Sequence, residues 1–288
     1  MRLGSLRIRL TLIVLIATLP ALLLALGAGF THRRLLAEDA HDDAVHVAET
    51  GQAHQAQLIA DTQDLLESLA VNPLVLGNDR EVCSRLLTML LKSDPDTTYS
   101  NLGVVLPDGQ MVCSAQPLNG PVYVGDRLYF QRALQTGHFA RGEHVIGRIS
   151  GRGTLLTGLP VFWDEAVPRA VIHAGIDLSW VATTASMASL PPGSSISVID
   201  HHGTVLARVP EVADAIGQPV PPGPLADLIA SGGSESGEIV DPDGTAVIYA
   251  LRPFDSKQDA DASIFVAIPR DVALAEANRS LRNELIGV

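Results

Sequence analysis

Five arginines, Arg127, Arg132, Arg141, Arg148 and Arg152, stand within 26 residues that contain one acid, Glu143. A guanidinium keeps its charge at any physiological pH, and its planar fork can hold a carboxylate through two parallel hydrogen bonds. Such an island therefore points to recognition of an anionic group. For Arg132, Arg141 and Arg152 a solvated surface position is the competing expectation. Arg127 is set apart by its neighbours. Asp126 is placed to cap a helix that Arg127 begins, and Tyr129 and Phe130 follow at once. This would fix a cation and two rings at a helix N-terminus, where free backbone N–H groups also favour anions.

Other side chains that carry chemistry are less suggestively placed. Cys83 and Cys113 are the only cysteines. Without a C-x-x-C spacing for redox or zinc chemistry, they are expected to pair as a disulfide if the region is exported, or else to be buried thiols. His41, Asp42, Asp43 and His46 cluster, but histidines at i and i+5 do not share a helical face, so no metal site is expected there. His201 and His202 fall in a turn. Asp255, Asp259 and Asp261 form an acidic loop without the spacing of a calcium loop. There is no G-x-S-x-G, H-E-x-x-H or P-loop, nor a G-x-G-x-x-G after a strand, so the expectation is a binding protein without a cofactor and not an enzyme.

The elements that must position these residues begin with a membrane segment. Leu10 to Phe30 is an uncharged run of 21 residues, long enough at about 1.5 Å per residue to cross a hydrocarbon core of roughly 30 Å. Arg2, Arg7 and Arg9 precede it. Arg33 and Arg34 follow, but Glu38, Asp39, Asp42 and Asp43 come next, which favours a cytoplasmic N-terminus. A cleaved signal peptide is the alternative, given Ala25, Gly27 and Ala28 at its end. In either case the remainder is outside the cytoplasm. All 32 acidic residues lie beyond Arg34 with 15 of the 20 basic ones, a surplus of 17 acids that argues against nucleic acid or an anionic membrane surface as partner.

From Thr31 to Ala70 there is no proline and one glycine, with apolar groups at Val45, Ala48, Leu58, Ile59, Leu65, Leu66 and Leu69, which predicts a long helix leaving the membrane. Pro73 ends it, and Arg80 to Lys92 reads as a second helix carrying Cys83. Beyond residue 100 come short β-type runs separated by Gly, Pro and Asp, and they come twice. Leu102 to Ser114 (LGVVLPDGQMVCS) and Ile196 to Arg208 (ISVIDHHGTVLAR) each read as a β-hairpin turning at Gly109 or Gly203. Each is followed by a helical stretch and further paired strands. Two tandem α+β units with antiparallel sheets, joined at the turn-rich Leu190 to Ser194, explain this pattern. After Pro269 an amphipathic pattern returns at Val272, Leu274, Ala275, Leu281 and Leu285, predicting a closing helix.

Gly125 to Phe130 (GDRLYF), with Ile146 to Gly151 (IGRISG) and Gly175 to Leu178 (GIDL), resembles the membrane-distal half of a double Cache (dCache) sensor domain. The resemblance covers roughly residues 31–288. It implies two PAS-like units behind a long helix: a cytoplasmic end at 1–9, a span at 10–30, a stalk helix at 31–72, a distal unit at 73–190, a proximal unit at 191–271 and a closing helix at 272–288. It also implies a small-molecule ligand in the distal unit. Arg127 would sit on a ligand carboxylate, Tyr129, beside the candidate Phe130, would be a wall or hydrogen bonder, and Asp177 would face an ammonium or hydroxyl, unless it serves as a turn or cap before Ser179. Asp126, Arg148 and Tyr123 complete the candidate set. The chain departs from the amino-acid-binding subset, with Val122 where that subset has a tyrosine and Tyr129-Phe130 where it has Trp-Tyr.

The function this implies is the periplasmic input module of an inner-membrane receptor, paired as a homodimer through the long helix. A kinase, cyclase or chemoreceptor output would follow a second membrane span beyond Val288. A stand-alone, membrane-anchored binding protein is the alternative.

Overall fold

The computed structural model describes residues 6–275 apart from 78, 95–97, 163–166, 189, 213, 242–243 and 255–260, and for residues 6–33 chiefly the backbone. Helix α1 (Leu6–Ala70) is continuous over 65 residues, about 100 Å at the usual helical rise. Among the described residues no helix is long and apolar enough to cross a membrane. The side chains of the expected span 10–30, Leu19 excepted, lie outside those described.

Along α1 the buried positions Ala40, Ala44, Val47, Ala48, Gln55, Thr62, Leu66 and Leu69 recur at helical spacing and form one stripe. Its alanines pack in one core cluster with Ile248, Ile264 and Val266, whereas Leu66 and Leu69 pack in another with Leu87, Leu102 and Ile172. One helix thus backs two sheets in succession. Gly51 lies where the helix crosses the second sheet: a Cβ there would run into Ile264 Cδ1 and meet the Trp180 ring at 3.5 Å.

After α1 come α2 (Pro73–Leu76), capped by Asn72, and α3 (Arg80–Ser93), whose first turn is capped by the Asp79 carboxylate accepting from the N–H groups of Glu81 and Val82. The first sheet has the order β2 (Met111–Ser114), β1 (Tyr99–Val105), β5 (Pro168–Asp177), β4 (Gly153–Phe162), β3 (Ala140–Ile146), all antiparallel. Helix α4 (Leu128–Thr136) lies on the face opposite α1. The Cys83–Cys113 disulfide, with Cα atoms 6.0 Å apart, ties α3 to β2.

Helix α5 (Trp180–Met187), which the sequence reading passes over, leads to a second antiparallel sheet ordered β7 (Val205–Val209), β6 (Ser195–Asp200), β10 (Ala262–Pro269), β9 (Ala246–Pro253), β8 (Glu235–Val240), with α6 (Pro224–Ser231) on its outer face. The two sheets have the same topology, and the duplication reaches beyond the strands. Met111 N–H donates to Val122 O in one unit and Val205 N–H to Gln218 O in the other; Val124 N–H donates to Gly109 O and Val220 N–H to Gly203 O. Gly109 (φ 86°) and Gly203 (φ 85°) close the two hairpins in the left-handed region that glycine tolerates. The chain described after the second sheet is α7 (Arg270–Ala273); the rest of the expected closing helix, from residue 276, lies outside the described residues.

Candidate functional site

The alternation of β5 decides what the first unit encloses. Ala170, Ile172 and Ala174 enter the core against α1 and α3, whereas Val171 packs against α4 with Tyr129, and His173 lines a cavity beside it. That cavity, about 30 Å³, lies between the sheet and the start of α4 and is bounded by Asn101, Thr154, Arg127, Tyr129, Arg148 and His173. A cavity of this size holds about two waters.

Its walls carry polar groups that the fold leaves open. The Tyr129 hydroxyl, on a residue 1% exposed, and the Asn101 Nδ2, on one 3% exposed, have no hydrogen-bond partner among the described residues. Asn101 is oriented by its oxygen, which accepts from Ser114 Oγ (3.1 Å) and from the Gln116 N–H (3.0 Å). Burial raises the Tyr129 phenol above its ordinary range, so it stays protonated. The His173 ring stacks on Tyr129 with centroids 4.8 Å apart, and its Nδ1 is 3.1 Å from Thr157 O. A carbonyl only accepts, so Nδ1 carries the proton and Nε2 of the neutral ring is an acceptor. Burial lowers His173 from 6.5 to about 4.

This shift makes stability depend on pH. The folded state holds His173 neutral while the unfolded chain takes up its proton below pH 6.5, so the stabilisation is complete above that value and is lost as pH falls toward 4. Between pH 6.5 and about 5 the loss attributable to this one group should be about 2 kcal/mol. Urea unfolding across that interval should show a shallower pH dependence in His173→Gln than in the parent chain. Equal slopes would remove His173 as the cause.

The arginine island is compensated by acids, some from outside it. Arg127 Nη1 is 3.2 Å from Glu143 Oε1, and Arg148 grips Asp126 with both Nη atoms (2.7 and 2.5 Å), which holds the Asp126 carboxyl down at about 2. Arg148 also donates to Tyr123 O (3.0 Å), Arg132 to Arg141 O (3.1 Å), and Arg152 pairs with Asp177 (2.7 Å). Two expectations change. Helix α4 begins at Leu128 with Arg127 as its N-cap residue, and Asp126 does not cap it. The Leu128 N–H donates instead to Glu143 Oε2 (3.1 Å), so a carboxylate from β3 already meets that helix end. The reason is spatial: sheet pairing carries β3 alongside α4, which residue spacing alone does not reveal.

Of the candidate residues, Arg127, Tyr129 and Arg148 meet at the cavity. Asp126 joins them through Arg148. Phe130 is buried in the core beside the cavity and does not line it, and the Tyr123 ring, about half exposed, covers Gly109 and Gly125. Asp177 is not brought there. Its Oδ1 accepts from the Ser179 N–H (2.8 Å), the turn role, and its side chain borders a cleft between the units with Arg152 and Arg208. Sequence reading missed Asn101, Thr154 and His173. Their signal was a polar residue within otherwise apolar central strands, where an unmatched polar group costs free energy unless something meets it.

The units are joined by a second polar constellation. His144 on β3, 4% exposed, donates its backbone N–H to Asp261 Oδ2 (2.5 Å), and its Nδ1 meets Asp261 Oδ1 (2.9 Å); its Nε2 is 3.1 Å from Gln55 Oε1 on α1. Its ring stacks on Phe254 with centroids 5.2 Å apart. Burial alone would raise the Asp261 carboxyl, but the hydrogen bonds from His144 outweigh it and the net shift is downward. Nearby, Gly153 at the start of β4 lies so close to Leu206 O on β7 that a Cβ would strike it. His41 is 3.2 Å from Ser236 Oγ, and among the described residues no group of His, Cys, Asp or Glu is placed to hold a metal ion.

No protein-family model and no curated protein matches the chain. Solved structures do. The ligand-binding domain of the Pseudomonas fluorescens chemoreceptor CtaA, in complex with L-isoleucine, aligns at 14% identity over 86% of this chain and 99% of that one, with a TM-score of 0.58. The sensor domain of the V. cholerae histidine kinase DctB aligns at 16% over 83% and 98%, also at 0.58. The ligand-binding domain of the Pseudomonas aeruginosa PAO1 amino acid chemoreceptor PctB, in complex with L-Arg, aligns at 19% over 85% and 92%, at 0.56. At these identities the likeness is one of fold: two tandem α+β units behind a long helix, the architecture that those ligand-binding and sensor domains share with this chain.

Proposed function

We propose that the chain is the ligand-sensing input module of a bacterial transmembrane receptor, binding a small carboxylate-bearing molecule in the distal unit without chemically changing it. The observation that carries this reading is the convergence on one cavity of Arg127 with two buried donors that lack partners among the described residues, the Tyr129 hydroxyl and Asn101 Nδ2. Three donors suit an acceptor-rich group such as a carboxylate, and the His173 Nε2 would take an N–H or O–H elsewhere on the ligand. Two of the similar structures hold amino acids, which supports a carboxylate end.

In this reading the Asp126–Arg148 pair is a latch across the mouth. A ligand larger than two waters enters when the turn at 147–150 parts from the segment 123–127, and its carboxylate takes over from Glu143 at Arg127. Residues 10–30 form the span, with 1–9 in the cytoplasm and 31–288 outside the inner membrane, 73–190 as the distal and 191–271 as the proximal unit. Two copies associate through α1. The ligand acts by favouring one closure of the distal unit over another, which α1 transmits because it is packed on both sheets.

The test is a thermal-shift screen of the full chain against organic acids, amino acids and amines. A binder at 100 times its Kd should stabilise by about 2.7 kcal/mol. Arg127→Gln is expected to weaken that binder at least about tenfold, through loss of a charged hydrogen bond. An unchanged shift in Arg127→Gln would sink the assignment.

A further inference from the structure

The equivalence of the two units allows a residue-by-residue transfer. Gly103 on β1 pairs with Ser114 on β2 and with His173 on β5; Ser197 on β6 pairs with Arg208 on β7 and with Phe265 on β10. Helix α4 opens at Leu128 and α6 at Pro224, which aligns Tyr129 with Leu225 and Arg127 with Gly223. The counterpart of the distal cavity exists in the second unit, on the same face of the sheet. It measures about 300 Å³ and is lined by Ser195, Ser197, Arg208, Leu225 and Phe265 among others.

At these equivalent positions the chemistry is reversed. Where the distal unit has His173 and Tyr129, the proximal unit has Phe265 and Leu225, 2% and 7% exposed, so the walls are apolar. The guanidinium comes from the strand and not from the start of the helix: Arg208 stands where the distal unit has Ser114. Its Nη1 donates to Ser197 Oγ (3.4 Å), its Nε is buried without a hydrogen-bond partner, and it forms no ion pair among the described residues. Asp241, the acid among the lining residues, accepts from the Thr245 N–H (2.9 Å). A guanidinium that borders a largely apolar cavity and has no carboxylate partner among the described residues fits a carboxylate better than any neutral group.

We infer that the proximal unit contains a second binding site, built around Arg208, for a small monocarboxylate with an aromatic or branched aliphatic body. The cavity is about ten times as large as its distal counterpart and holds about twenty waters on the same measure, so it fits a ligand of roughly ten non-hydrogen atoms. The carboxylate would meet the remaining Nη, and Nε once the side chain turns its sealed edge toward the cavity, while the body lies against Phe265 and Leu225. Arg208 also borders the cleft between the units, so occupancy here would be felt at their seam.

The experiment is calorimetric titration of the full chain in detergent with phenylacetate and 4-methylpentanoate, and with phenylacetamide as the neutral isostere. At least one acid should bind, with phenylacetamide about tenfold weaker or more. Arg208→Gln should lose about the same factor, and Ala215→Trp, which fills part of the cavity, should not bind. The inference is overturned if neither acid binds at about 10 mM, if the amide binds equally, or if Arg208→Gln or Ala215→Trp keeps parental affinity. Loss in Arg127→Gln with retention in Arg208→Gln would assign the acid to the distal cavity and equally overturn it.

Discussion

His144→Ala should destabilise the chain by about 3 kcal/mol and split one unfolding transition into two, because it removes a buried side chain and leaves its partners unmatched. The ring stands between elements of different origin: Gln55 on α1, Asp261 beside β10, and Phe254 stacked on it. Asp261 would keep the bond from the His144 backbone N–H, so it is the ring's contribution that the substitution isolates. Calorimetry reads both effects, since units that unfold together obey a single two-state transition and uncoupled units do not. A variant that melts in one transition within about 1 kcal/mol of the parent would show that the units are coupled elsewhere.

The second large effect concerns the Cys83–Cys113 bond. It closes a loop with a sequence separation of 30, and the chain-entropy argument gives roughly 3.5 kcal/mol for a loop of that size. The bond fastens α3 to β2, an edge strand of four residues. The double replacement Cys83→Ala/Cys113→Ala should therefore lower the urea midpoint and expose the amides of β2 to exchange before those of β5. A loss below about 1 kcal/mol would mean that the packing of Leu87 and Leu102 around it suffices.

The elements with strong periodicity were legible from the residues. The long helix, the Arg80 helix and both hairpins occupy the expected places, because each depends on local spacing or on a glycine at a turn. Helix α5 was not, since Trp180 to Met187 offers mostly β-branched and small residues, and its helicity follows from burying Trp180, Val181 and Thr184. The site was half legible. Arg127 and Tyr129 announce themselves through type and neighbourhood, but which acid meets which arginine depends on sheet register. Glu143 reaches both Arg127 and the start of α4 only because β3 pairs with β4. Asn101 and His173, from β1 and β5, enter one cavity for the same reason. Asp177, read either as a ligand residue or as a turn residue before Ser179, takes the turn role.

Gly51, the single glycine of α1 between residues 31 and 70, has a mechanical consequence. Gly51 lets the helix touch Ile264 and Trp180 more closely than any side chain would allow, which makes this point a fulcrum. Residue 31 lies about 30 Å farther along the same helix. A tilt of about 3° at Gly51 would then sweep residue 31 sideways by about 1.5 Å, within the range of helix shifts that accompany allosteric transitions. A rearrangement too small to be noticeable at the pocket would thus become a displacement at residue 31, with the 65-residue helix as the lever.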